Sequence, residues 1–133
     1  MNIRLKVFCV LLSLHALGLA GAGVQSILFQ TGGKSTNWGD LILFSAWFFG
    51  LASILAFGAF KSAKGSQTVA RLFAVPFGLG GCLEVLGGTA MAIMGFIGPA
   101  DPYIMPLGVI GAGLGGLHIL MGFLGWTGAS TAQ

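Results

Sequence analysis

Charged side chains are scarce in this sequence, and their scarcity excludes most classes of soluble protein. Six lysines and arginines and three aspartates and glutamates occur among 133 residues, and 56% of the residues are hydrophobic. The mean hydropathy is +0.95, whereas a soluble domain carries about 25% charged residues. A nucleic-acid surface needs a basic stripe, which six scattered cations do not supply. The composition predicts a membrane protein without a nucleic-acid partner.

Cysteines and catalytic motifs are also sparse. Cys9 and Cys82 lie in apolar stretches and form no C-x-x-C pair. GAGLGG at 111–116 contains G-x-G, but it lies inside an apolar stretch and not at a strand–helix turn. No serine has a G-x-S-x-G context. We therefore predict no enzyme, no catalytic residue and no metal site.

Long apolar stretches are abundant. Four of them reach the roughly 20 residues that a helix needs to cross a bilayer. They lie at about 5–29, 41–60, 72–98 and 107–126. The alternating pattern of a membrane barrel is absent. We predict an all-α fold, a polytopic membrane protein in which residues 1–133 form a single transmembrane domain. Its architecture is a four-helix transmembrane bundle with short connections.

The cations indicate how the bundle is oriented. They cluster before the first span and between the second and third spans, at Arg4, Lys6, Lys61, Lys64 and Arg71. The other two loops carry Lys34 with Asp40, and Asp101 alone. The positive-inside rule then predicts cytoplasmic N- and C-termini in a bacterial inner membrane. A signal peptide over residues 1–22 is an alternative interpretation of the first span.

The 24 glycines follow a helical pattern. In a bilayer, small residues let helix backbones approach closely, and helix association depends on that packing. Steps of three and four residues place one set of glycines on a single face of each of the last two spans. The set comprises Gly81, Gly88 and Gly95, and Gly108, Gly111, Gly115 and Gly122. We expect the third and fourth spans to pack through these faces.

Three ionisable residues lie within the spans. Glu84 and His118 fall on the two glycine faces, and His15 lies in the first span. At 1.5 Å per residue, all three lie roughly 12–18 Å from the cytoplasmic side. A carboxyl group at this depth is a functional candidate by default. Since a short connection makes the last two spans antiparallel, we expect Glu84 and His118 to lie in contact.

Three interpretations of these residues remain open. The first is a hydrogen bond between Glu84 and His118 that joins two helices. The second is a haem or a (bacterio)chlorophyll bound by His118 and His15, as in an electron-transfer or light-harvesting subunit. No C-x-x-C-H motif supports that cofactor, and it is not favoured. The third is a proton relay through Glu84 and His118 in a proton-linked transporter component.

Residues 71–95, RLFAVPFGLGGCLEVLGGTAMAIMG, resemble one helix of the DoxX-type group of small four-helix membrane proteins. In that group an apolar helix carries a glutamate followed by a Gly-Gly pair, which correspond here to Glu84, Gly87 and Gly88. The resemblance covers one span of four, and in the group this segment comes earlier in the fold. It implies a small membrane protein that works beside a larger redox or receptor assembly.

The leading functional prediction is a small non-catalytic membrane subunit, or an assembly or accessory factor. The glycine-rich faces would dock it onto other membrane subunits, in a homo- or hetero-oligomer surrounded by the lipid bilayer.

Overall fold

The chain is described by a computed structural model over residues 1–32, 37–97 and 103–130. Within these residues it forms four α-helices and no strand. The helices are α1 (Ile3–Thr31), α2 (Trp38–Ala63), α3 (Gln67–Ile97) and α4 (Ile104–Ser130). Each is long and apolar enough to cross a membrane. The all-α prediction with four spans is confirmed.

Each helix is longer than the span predicted for it, and α3 is described as far as Ile97. Gly98, at the end of the third predicted span, lies outside the described residues. Lys34 and Asp101, which are two of the charges behind the predicted orientation, also lie outside them.

Polar caps and a glycine set the local bounds of the helices. The side-chain oxygen of Asn2 accepts a hydrogen bond from the Leu5 backbone N–H at the start of α1. Asn37 caps α2 in the same way, accepting from the N–H of Gly39. Gly65, with a φ of 90°, turns the chain from α2 into α3, a conformation that favours a residue without a Cβ.

Helices α3 and α4 form the closest helix pair. A Cβ added at Gly81 would lie 2.5 Å from the carbonyl oxygen of Gly115, and one at Gly95 would lie 2.6 Å from the Met105 nitrogen. Backbone therefore faces backbone along this contact, and no other residue type would permit the approach. Six of the seven predicted packing glycines meet the partner helix this closely, namely Gly81, Gly88, Gly95, Gly108, Gly115 and Gly122. The seventh, Gly111, makes an ordinary contact at 3.6 Å.

Helices α1 and α2 form the second hairpin, and a buried core joins it to the α3–α4 hairpin. This core lies in the half of the bundle that holds the N-terminus and the end of α4. Its largest members are Leu5, Phe8, Leu12 and Met121, with 1% or less of each exposed. Phe8 lies against Gly125, whose added Cβ would meet the phenyl ring at 2.8 Å. The two hairpins are thus held together mainly at one end.

Candidate functional site: a chain of three titratable side chains

Glu84 and His118 bring the two hairpin helices α3 and α4 into polar contact. The Nδ1 atom of His118 lies 2.6 Å from the Oε2 atom of Glu84. The contact crosses the glycine seam, since Glu84 Cβ would lie 2.8 Å from a Cβ added at Gly115. The missing side chain at Gly115 therefore makes room for the carboxyl-bearing residue beside the imidazole.

His15 extends this contact to α1. Its Nε2 atom lies 2.8 Å from the Nε2 atom of His118. Its other nitrogen, Nδ1, lies 3.0 Å from the backbone carbonyl oxygen of Leu11, one turn earlier in α1. The three side chains of Glu84, His118 and His15, hereafter the triad, therefore form a continuous hydrogen-bonded chain across three helices. Among the described residues, its link between His15 and His118 is the only ion-pair or hydrogen-bond contact between the hairpins at mid-helix depth.

Phe77 supports the triad from the side of the core. Its ring lies edge-on to the His15 imidazole, with centroids 5.6 Å apart, and its centroid is 5.4 Å from that of His118. Such spacings are those of favourable aromatic pairs. Phe77 also packs against the buried core that joins the hairpins. The ring therefore limits the space in which either imidazole can turn.

The hydrogen bonds of the triad determine how many protons it holds. A carbonyl oxygen only accepts, so Nδ1 of His15 carries a proton and donates it to Leu11. One further proton is needed between the two Nε2 atoms, and one between His118 and Glu84. The satisfied triad thus holds three protons. Because a carboxylate with two neutral imidazoles holds two protons and one negative charge, the third proton makes the triad neutral.

Three arrangements of these protons satisfy every hydrogen bond. In the first all three groups are neutral, and the protonated Glu84 donates to His118. In the second Glu84 is a carboxylate and His118 is an imidazolium that donates to both neighbours. In the third the positive charge is on His15, which donates to His118. Each arrangement becomes the next when one proton moves within one hydrogen bond, so charge can travel along the triad without any side chain turning.

The two ends of the triad differ in access. His118 has 18% of its side chain exposed, whereas Glu84 has 44% exposed. The sequence predicted that both side chains face the inside of the bundle. His118 is shielded there, whereas Glu84 is partly exposed. The reason is that α2 and α3 contact each other little, which leaves the carboxyl group at the edge of an open pocket. His15 ends the chain at a backbone carbonyl inside α1.

This pocket, hereafter the α2–α3 pocket, has a volume of ≈ 300 Å³. Glu84 and His118 supply its ionisable groups, and the rest of its lining comprises Leu55, Phe73, Pro76, Phe77, Gly80 and Gly81. None of Phe73, Pro76 and Phe77 was predicted from the sequence to line a site. Helical periodicity could have identified Phe77 as a neighbour of the site, since Phe77 lies one turn before Gly81 and two turns before Glu84 on the same helical face.

The side chains do not fit a cofactor between the two histidines. A metal–imidazole bond is about 2 Å long, so an iron bound between two opposed imidazoles separates the nitrogens by about 4 Å. The two Nε2 atoms are 2.8 Å apart. Binding a pigment metal to either imidazole alone would break one of the hydrogen bonds of the triad. Among the described residues, no group of three or more His, Cys, Asp or Glu side chains is arranged so that it could hold a metal ion.

Comparison of the chain with family models, with characterised proteins and with solved structures finds no match. The resemblance of residues 71–95 to DoxX-type proteins therefore stays a prediction.

Proposed function

We propose that this protein is a proton-linked component of a membrane transport system, with the triad as its proton-binding site. The observation that carries the proposal is the unbroken chain from an exposed carboxyl group to two imidazoles, with contacts of 2.6 Å and 2.8 Å. Carboxyl and imidazole groups within a membrane are the usual means of binding and passing protons. A purely structural hydrogen bond between α3 and α4 would need neither His15 nor access to a pocket.

Each member of the triad has a distinct role in this proposal. Glu84 exchanges protons with the α2–α3 pocket, because it is the exposed end. His118 passes the proton, since both of its ring nitrogens are engaged. His15 holds the positive charge farthest from the pocket. Because the chain ends at Leu11, a proton enters and leaves through Glu84, and its release to the other side of the membrane requires a movement of the hairpins.

Proton flux into vesicles tests the proposal. Protein-containing liposomes loaded with a pH-sensitive dye receive an imposed membrane potential, and the rate of internal acidification is compared with that of protein-free liposomes. We expect wild-type protein to raise the rate and Glu84→Gln to return it to the protein-free level. Glutamine carries an amide N–H that donates to Nδ1 of His118, as the protonated Glu84 does, so the helix contact survives while the exchangeable carboxyl proton is lost.

Asp40→Asn is the matched control for this substitution. Asp40 is a carboxylate in the first turn of α2, where it accepts a hydrogen bond from Asn37, and it lies far from the triad in the chain. We expect this variant to retain the wild-type flux. Equal flux in wild-type protein and Glu84→Gln, or no flux above the protein-free level in the wild type, contradicts the proposal.

The role of an accessory subunit in a bacterial inner membrane is the second candidate. The glycine faces of α3 and α4 are occupied by each other, so docking would need another surface. Gly113 and Gly116 of α4 offer one, since an added Cβ at either would meet nothing within 4 Å. Purification in mild detergent should then return a stoichiometric membrane partner, which Gly116→Leu releases. A solitary species in the wild type argues against this role.

A further inference from the structure

The α2–α3 pocket has a polar end with a defined hydrogen-bonding character. Oε2 of Glu84 is hydrogen-bonded to Nδ1 of His118, whereas Oε1 has no hydrogen-bond partner among the described residues. In all three proton arrangements the proton of Glu84, where it has one, lies on Oε2. While the triad holds its three protons, Oε1 therefore accepts and does not donate, so a molecule that binds there between proton exchanges must bring an O–H or N–H donor.

The charge of the triad also restricts the ligand. Because the satisfied triad is neutral, it offers no net attraction to an ion at this depth. An ion would have to give up its hydration shell to reach the pocket within the bilayer. No charge in the pocket would compensate for that loss, which is costly. The pocket therefore favours a molecule that is itself neutral and that carries its donor at one end.

The walls of the pocket are apolar and aromatic. The Phe73 ring is held in place against α2, where an added Cβ on Gly58 would lie 2.6 Å from it. Phe77 is held by both imidazoles. Leu55 and Pro76 complete this apolar lining, and Gly80 leaves open space, since its added Cβ would meet nothing within 4 Å. Two fixed phenyl rings favour a flat aromatic ligand.

The volume and the opening set the size of the ligand. At ≈ 300 Å³ the pocket is at the lower limit for small-molecule sites, which suits one aromatic ring with few substituents. The gap between α2 and α3 lies within the membrane-spanning part of both helices. An alkyl tail attached to the ring can therefore leave the pocket directly into the hydrocarbon of the bilayer.

We propose that the α2–α3 pocket binds a neutral alkylphenol-type molecule from the bilayer, with its hydroxyl group donating to Oε1 of Glu84. The inference rests on the proposed function, because it names the class of molecule whose binding is linked to the proton of the triad. The ring lies between Phe73 and Phe77, and the tail points away from His118.

Binding of para-octylphenol to the wild-type protein in lipid nanodiscs tests the inference, with its methyl ether as the matched ligand. The two probes have nearly the same shape, but the ether oxygen cannot donate. The chain has only two histidines, so labelling with nitrogen-15 histidine reports on the ring nitrogens of His15 and His118 alone. We expect saturable shifts of the His118 signals with the phenol and at least tenfold weaker binding of the ether. Nanodiscs without protein correct for partition into lipid.

Gly80→Leu adds a side chain to the lining of the pocket at a position whose Cβ would meet nothing within 4 Å. It should abolish phenol binding while the histidine signals keep their wild-type dependence on pH. Gly50→Leu is the control, because Gly50 of α2 also has open space and does not line the pocket; it should bind the phenol normally. Equal affinity for phenol and ether, or undiminished binding in Gly80→Leu, overturns the inference.

Proton flux measured without ligand reports on the proposed function separately, so loss of flux with intact phenol binding would reject only the transport role.

Discussion

At the scale of single residues, the Leu11 carbonyl determines how the triad is protonated. It forces a proton onto Nδ1 of His15, which leaves Nε2 of that ring to face His118 as donor or acceptor. A backbone oxygen in α1 thereby fixes the tautomer at one end of a chain whose other end is a carboxyl group on α3. Replacing any member changes the proton count of the other two.

His15→Phe should remove this coupling and little else. A phenyl ring replaces the imidazole beside Phe77, but Nε2 of His118 loses its partner. We expect a loss of about 0.5–1.5 kcal/mol in the free energy of unfolding, the range of interhelical hydrogen bonds in membranes. Unfolding in mixed micelles measures it. Ser13→Ala is the control, since the Ser13 hydroxyl donates only to Cys9 within α1. A loss no greater than that of the control would show that the contact contributes nothing.

The sequence was sufficient to place Glu84 beside His118, because depth and an antiparallel hairpin determine that pair. It was not sufficient to place His15. Equal depth puts three residues in one layer, but which helices are neighbours within the layer depends on the contacts of Phe8 and Leu12 with the other hairpin. The exposure of Glu84 also depends on a tertiary feature, the sparse contact of α2 with α3, for which no local pattern exists.

At the scale of helices, neighbouring glycines have opposite roles. Gly88 faces α4, where an added Cβ would lie 2.6 Å from the Gly108 carbonyl oxygen and would also overlap the Ala112 nitrogen. Gly87, one residue earlier, has nothing within 4 Å. Helical periodicity predicted the seam correctly because both helices carry it at intervals of seven residues. A count of glycines alone could not distinguish these two positions.

Gly88→Ala and Gly87→Ala therefore form a matched pair of substitutions. In Gly88→Ala a methyl group meets backbone atoms that cannot rotate away, so α3 and α4 must separate. We expect a loss of about 1–3 kcal/mol in the free energy of unfolding, as for overpacked cores. Gly87→Ala should be neutral or stabilising by up to about 1 kcal/mol, since alanine is the better helix former. Equal effects, measured by unfolding in mixed micelles, would mean that the seam is not a backbone contact.

At the scale of the whole molecule, the bundle consists of two hairpins joined mainly at the end that holds the termini. Three of the contacts between α1 and α4 follow one another along the helices. Leu5 meets Gly128, Phe8 meets Gly125, and His15 meets His118. The first two are packing contacts that do not depend on pH. The third is farthest from the termini, and it is the one that a proton can change.

A fourth proton that leaves both imidazoles charged should separate the hairpins. With Glu84 ionised and both imidazoles protonated, two N–H groups and two positive charges would face each other across 2.8 Å, and the hydrogen bond would be replaced by repulsion. Glu84 on α3 offsets one of these charges. Helix α2 brings no charged group to the triad, since Leu55 is its contribution to the adjoining pocket. Acidification is therefore expected to move α1 away from α4 beyond His15, as a proton-linked movement requires.

Spin labels at the exposed positions Val24 of α1 and Val109 of α4 measure this separation, in a background where Cys9 and Cys82 are replaced. The distance should increase as the nitrogen-15 histidine signals report uptake of the fourth proton. His15→Phe cannot form the doubly charged pair, so its distance should stay constant over the same range of pH. If the wild-type distance is also constant while both imidazoles become charged, the packing at Phe8 and Leu5 is enough to hold the hairpins together. The triad would then bind protons without moving the helices, and a conformational release of the proton would have to be abandoned.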